Sequence, residues 1–290
     1  VGMFSRFGVG TEYVQDWGGR GKIYKADLAT YSMAPNLAVK LTDNLSFAFG
    51  VELMYSSADL RRMITNTNEM RMGVDGVGIG GQLAMHYKFN DQWSAGLTYH
   101  TSQQHTDSGK VRYSAENGAN FRDSAMNISL TLPASYTFGV AFKPTDKWKI
   151  EADAIYTQWQ DYEKITYSYT VNPLTGAPGD VKSDKNWENV WRLQLGAEYM
   201  ATDWLALRAG FVWDQDPIRK GFEDYMLPSS DRKIYSGGVG IIDGAFTYDF
   251  SLMYLQNNDR SIDTNSNTLA GTSEFKNSRA YMAGFSLGYK

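Results

Sequence analysis

The sequence predicts an all-β protein: an antiparallel transmembrane β-barrel of about twelve strands. Three observations predict it. Apolar and polar residues alternate with period two over long stretches. Each apolar face runs about nine or ten residues, the length a strand tilted near 45° needs to cross a bilayer. The connections alternate between short turns and long polar loops, as in outer-membrane barrels, which place turns in the periplasm and loops outside.

The strands fall near 2–13, 23–41, 45–65, 75–89, 92–105, 125–143, 147–168, 187–200, 204–215, 232–242, 245–256 and 279–290. In the third, Leu45, Phe47, Phe49, Val51, Leu53 and Tyr55 oppose Ser46, Ala48, Gly50, Glu52, Met54 and Ser56. In the seventh, Trp148, Ile150, Ala152, Ala154 and Tyr156 oppose Lys149, Glu151, Asp153 and Thr157. The eighth sets Trp191, Leu193, Leu195, Ala197 and Tyr199 against Arg192, Gln194, Gly196 and Glu198. Leu205 to Trp213, Phe246 to Tyr254 and Tyr281 to Tyr289 repeat the pattern. Thr42-Asp43-Asn44, Asn90-Asp91-Gln92, Thr145-Asp146-Lys147, Ala201-Thr202-Asp203 and Asp243-Gly244 are the tight turns, Asx-rich and carrying side chains that can bond their own backbone. Long loops run over 14–22, 66–74, 106–124, 169–186, 216–231 and 257–277. Trp93, Trp148 and Trp204 directly follow short turns, while Tyr55, Tyr99, Tyr156, Trp159, Trp213 and Tyr254 lie about one strand further on. That spacing makes two aromatic girdles, one per interface. A soluble β-sandwich or lipocalin-like barrel would share the period but turn its apolar face inward and need no paired girdles.

Composition excludes several classes. No run approaches the 18 or so apolar residues of a spanning helix, although the mean hydropathy is negative. With no Cys among 290 residues there is neither a disulfide framework nor a zinc-thiolate site. A net charge of -4 without a basic block argues against nucleic acid. Aromatics at 14% argue against disorder. No composition shift divides the chain, so 1–290 reads as a single barrel domain.

Particular stretches carry a resemblance: Phe7-Gly8-Val9-Gly10-Thr11-Glu12-Tyr13, Pro35 to Lys40, Leu132-Pro133, Trp148 to Trp159 with Tyr162, Trp191-Arg192-Leu193, Arg208-Ala209-Gly210, and Leu227-Pro228 before Asp231-Arg232. In their order and spacing the chain resembles the FadL family of outer-membrane long-chain fatty-acid transporters, which includes TodX-like hydrocarbon channels. The resemblance implies a barrel of about fourteen strands plugged by an N-terminal hatch. The residues here begin at the family's third strand, so the hatch and about two strands are expected to be absent. The resemblance also places the family's head-group arginine on Arg62, with Arg61 able to serve after a one-residue shift. The family's partner lysine falls on Ser183, between Lys182 and Lys185. Its lateral exit, an inward strand kink, falls on Phe7, Gly8, Val9 and Gly10.

Other chemistry is sparse. Glu52, Lys149, Glu151, Asp153, Arg192, Glu198, Arg208 and Asp249 point to the lumen, with Arg208–Glu198 the closer candidate pair and Arg192–Glu198 the other. His86 and His100 face inward but out of register, His105 sits at a loop edge, and no Gly-x-Ser-x-Gly elbow is present, so no enzyme is expected. Asn258, Asp259 and Asp263 lack the spacing of a calcium loop; no metal and no cofactor are expected. The expected function is passive uptake of hydrophobic compounds, foremost long-chain fatty acids, by a monomer set in outer-membrane lipid and lipopolysaccharide. Aromatic-hydrocarbon uptake, a general-diffusion porin, and an adhesin working through loops 106–124 and 257–277 are the alternatives.

Overall fold

A computed structural model describes residues 1–115, 120–262 and 273–289. Asp263 and the centres of loops 106–124 and 257–277 lie outside the described residues. The wall is a meander in which every strand pairs antiparallel with the next. Six strands are broken in two: β1 (Gly2–Phe4) with β2 (Gly8–Glu12), β3 (Lys25–Ala34) with β4 (Asn36–Lys40), β7 (Trp93–His100) with β8 (Gln103–Tyr113), β9 (Ser124–Leu132) with β10 (Ser135–Thr145), β11 (Trp148–Thr157) with β12 (Lys164–Tyr169), and β13 (Gly179–Asp184) with β14 (Val190–Thr202). Six are continuous: β5 (Leu45–Met63), β6 (Glu69–Lys88), β15 (Leu205–Asp214), β16 (Arg232–Asp243), β17 (Phe246–Asn257) and β20 (Arg279–Tyr289). These are the twelve crossings the alternation predicts. A small outer hairpin, β18 (Arg260–Ile262) with β19 (Ser273–Phe275), stands apart from the wall.

The sheet is inside out relative to a soluble domain. On β5, Phe47, Phe49, Val51, Leu53 and Tyr55 are exposed, whereas Glu52 and Met54 on the opposite face have no exposed surface. That inversion rules out the sandwich and lipocalin arrangements, whose apolar faces point inward. The wall curls around a lumen, because Arg6 beside β2 reaches Ser135 on β10, Nη2 to Oγ 3.4 Å. No described register joins β1 or β2 to β20.

The turns follow their side chains. Asn90 Oδ1 accepts from the backbone of Gln92 at 2.9 Å and Trp93 at 2.8 Å. Gly244, at φ +59°, supplies the left-handed residue of the β16–β17 turn. Pro35 and Pro133 fall in two of the breaks, where a residue without an N–H ends a ladder.

The girdles form rows. Tyr136 pairs with Tyr99 on one side and Tyr156 on the other, and Tyr156 with Trp191. Ring centroids along that row are 4.7 Å for Tyr99–Tyr136 and 4.9 Å for Tyr156–Trp191. Phe211, Tyr235, Tyr254 and Tyr281 make a second outer row. Trp159 departs from the girdle expected of it. It sits on a 3₁₀ turn (Trp159–Asp161) that breaks its strand, and packs with Phe7, Tyr162 and Trp187 instead.

Four predicted loops contain strand. The 66–74 stretch holds the first six residues of β6, 106–124 begins with eight further residues of β8, 169–186 holds β13, and 257–277 holds β18 and β19. The β8 and β13 segments are rich in polar residues and escape a search for apolar alternation.

Candidate ligand-binding site

The lumen is built in layers. Its middle layer is polar and depends on glycine. On β5, Glu52, Met54 and Ser56 face inward, and their register partners on β6 are Gly80, Gly78 and Gly76. Beyond β6, Gln103, His105 and Asp107 of β8 lie flat across those same three glycines. A Cβ on Gly78 would meet His105 Nε2 at 2.2 Å, and one on Gly76 would meet Asp107 Oδ1 at 2.3 Å. Without side chains on β6, β8 reaches β5 directly. Ser56 Oγ donates to Asp107 at 2.8 Å and lies 3.0 Å from His105 Nδ1. Glu52 accepts from Ser32 Oγ at 2.7 Å and Arg6 Nη1 at 2.9 Å, with His100 Nδ1 3.5 Å away. His105 is therefore a buried lumen residue, not the loop-edge group its position suggested. The sequence did hold a signal for this layer: Gly76-x-Gly78-x-Gly80 and Gln103-x-His105-x-Asp107 share period two.

Above it lies an apolar layer. Met70, Met72, Val74, Val111, Tyr113, Met126, Ile128, Ile165 and Tyr169 form its buried part, drawn from β6, β8, β9 and β12. Loop residues close over it: Tyr13 stacks on Trp17 at 4.2 Å, Trp17 meets Tyr225 edge-on at 4.7 Å, and Tyr13 Oη donates to the Tyr225 carbonyl at 3.0 Å. Burial pushes the Tyr13 phenol up to about 12. The cover is pinned by Arg260, which donates to the Ile218 and Ser229 carbonyls at 2.8 and 2.9 Å and pairs with Glu223 at 2.9 Å and with Asp216. Burial holds the Asp216 carboxyl above the usual range despite that arginine.

The four candidate cations part company here. Arg62 shares the inward face of β5 with buried Leu60; its Nε donates to Met70 Sδ at 3.3 Å, and its charge is felt by Tyr113, Tyr167 and Tyr169. Arg61 takes the other face and pairs with Asp59 at 2.7 Å, beside Arg71. Lys185 is buried but committed to Asp224 at 2.5 Å. Lys182 is exposed on β13, opposite Thr166.

A cavity of about 650 Å³ opens lower in the lumen, with Phe4, Phe7, Gly8, Trp159, Trp187 and Arg192 in its wall. At Phe7 the first strand breaks over residues 5–7, between β1 and β2. Thr30 clamps the break: its Oγ1 donates to the Phe7 carbonyl at 2.6 Å and lies 3.1 Å from the Phe7 amide nitrogen. Gly8 and Gly10 sit just beyond, in regular register with Ala29 and Asp27, and Val9 packs against the apolar layer. The backbone irregularity therefore precedes the two glycines.

Toward the short-turn end the lumen is ionic. Arg208 donates to Glu198 at 2.7 Å and to Asp249 at 2.5 Å, joining three strands. Arg192 does not reach Glu198; its register partners are Ile155 and Asp214. Among the described residues no group of three or more acidic, His or Cys side chains is placed to hold a metal.

Comparison with known proteins places the chain. The family model described as outer membrane protein transport protein (OMPP1/FadL/TodX) matches residues 1–290. The long-chain fatty acid transport protein of Salmonella typhi is 22% identical over 306 residues, covering 93% of this chain and 65% of that protein. A solved Pseudomonas aeruginosa FadL homologue superposes with a TM-score of 0.83 at 20% identity, covering 98% of this chain and 72% of the other. The Pseudomonas putida toluene transporter TodX gives 0.73 at 17% identity, covering 99% and 77%. At such identities the structural matches speak to fold. The chain spans between 51% and 66% of the length of these curated relatives.

Proposed function

The chain belongs to the outer membrane protein transport protein (OMPP1/FadL/TodX) family, whose members sit in the outer membrane of Gram-negative bacteria, and from that premise we propose that it carries long-chain fatty acids inward by passive passage. The observation that supports this reading is a cation set in an apolar layer: Arg62 among methionines and tyrosines beneath a cover of outer loops. Burying an alkyl tail there contributes about 0.8 kcal/mol per methylene. Arg62 offers the carboxylate a planar fork. Capture at the loops is followed by residence in the layer and by sideways release at Phe7–Gly10, beside the break in the first strand. The protein works as a monomer, with its exposed apolar wall against lipid and its outer rim against lipopolysaccharide.

Titration with labelled oleate tests the head-group role. Arg62→Ala is expected to weaken binding about tenfold, the loss of one charge-assisted pair. Equal binding by variant and parent would remove Arg62 from the mechanism. Aromatic-hydrocarbon uptake is the second reading, favoured by the tyrosines of the same layer; a preference for toluene over oleate would select it.

A further inference from the structure

Arg192 is the unusual charge of the lumen. It lines the 650 Å³ cavity on β14, its Nε is shielded from solvent, and among the described residues it has no hydrogen-bond or ion-pair partner. The neighbouring arginines of that cavity are committed: Arg6 to Glu52 at 2.9 Å, and Arg232 to Asp214 at 2.8 Å. Asp214, the register partner of Arg192, is thus already neutralised from β16. Apolar and aromatic side chains, among them Phe7, Leu132, Ile155, Trp159 and Trp187, share the cavity wall with polar Thr157, Gln215 and Ser229.

An Nε shielded from solvent and left without an acceptor costs free energy that an acceptor entering the cavity recovers. A neutral hydrocarbon supplies no acceptor. A free small anion would leave the apolar wall unused. An amphiphile with one carboxylate and a long tail satisfies both parts. We infer that Arg192 is a second head-group station, deeper than Arg62 and next to the break at residues 5–7, where the carboxylate of a long-chain fatty acid rests with its tail along Trp159 and Phe7. This rests on the uptake reading above and adds to it a stage at which the anion has left the outer layer.

The test compares oleate with oleyl alcohol, which shares the chain length and unsaturation but lacks the charge. Binding of each to the purified protein is titrated for the parent, Arg192→Met and Arg192→Lys, with heat-modifiable electrophoretic mobility confirming that each variant is folded. The expected result is a loss of about tenfold or more in oleate affinity in Arg192→Met, unchanged alcohol affinity, and partial recovery in Arg192→Lys. A merely structural role would weaken both ligands together and overturn the inference. Unchanged oleate binding in folded Arg192→Met would also overturn it while leaving the uptake reading intact. If the parent bound neither ligand saturably, the uptake reading itself would fall, and the inference with it.

Discussion

Ser56 on β5 and Asp107 on β8 are hydrogen-bonded at 2.8 Å although a whole strand, β6, runs between them. The contact exists because β6 presents glycine at that height. The layer is therefore sensitive to single methyl groups. Gly78→Ala drives its Cβ into the His105 ring and is expected to cost about 1–3 kcal/mol by overpacking. Gly10→Ala meets nothing within 4 Å and is expected to fall within about 0.5 kcal/mol of the parent. The midpoints of their heat-modifiability transitions check the contrast; equal midpoints would mean that the layer yields.

Glu52 and Arg6 form a pair with little or no solvent contact, side chains 0% and 14% exposed. Removing one partner strands the other. Glu52→Leu alone is expected to destabilise by about 3 kcal/mol, and the double variant Arg6→Met/Glu52→Leu to recover most of that loss. A double-mutant cycle by denaturant titration in detergent measures it; additive losses would show that the two charges are independent.

Arg208 contrasts with that pair. It bridges Glu198 and Asp249 but keeps 39% of its side chain exposed, so water screens the network. Arg208→Ala is expected to cost about 1 kcal/mol or less, and less still at high salt. Thermal midpoints at two ionic strengths decide this; a large, salt-independent loss would contradict it.

Tyr13 links pH to the outer cover. Its phenol is raised from 10.0 to about 12 by burial first and by Asp224 and Tyr225 next. The folded state therefore favours the protonated form. That contribution is complete below the unfolded value of 10.0 and is lost as pH rises toward 12. Protease susceptibility of loop 216–231 is expected to rise across that window in the parent, and to lose the step in Tyr13→Phe. An unchanged step in the variant would assign it to another group.

Strand number, the two faces and the tight turns were legible because a bilayer imposes them on each strand alone. Leu45 to Tyr55 and Trp191 to Tyr199 announce their lipid face without reference to neighbours. The lumen was only partly legible, because its contacts depend on register between strands. The Arg208–Glu198 pair lies across one turn and could be counted. The reach of Asp107 to Ser56 crosses a third strand, and its composition reads as loop. Trp159 was placed in the girdle because spacing counts residues, while the 3₁₀ turn beneath it changes the direction of the chain. The separation of Arg62 from Arg61 follows from alternation itself, once Leu60 is known to face inward.

The aromatic rows also bear on the surrounding lipid. On the β7–β10 flank, the Tyr99–Tyr136 row and the Trp93–Phe142 row stand six positions apart on β10, about 20 Å along the strand. On the β17–β20 flank, Tyr254–Tyr281 and Phe246–Tyr289 stand eight positions apart on β17, about 26 Å along the strand. At a tilt near 40° the first flank spans a layer roughly 5 Å thinner than the second. A bilayer fitted to both pairs of rows is then expected to be thinner beside β7–β10 than beside β17–β20.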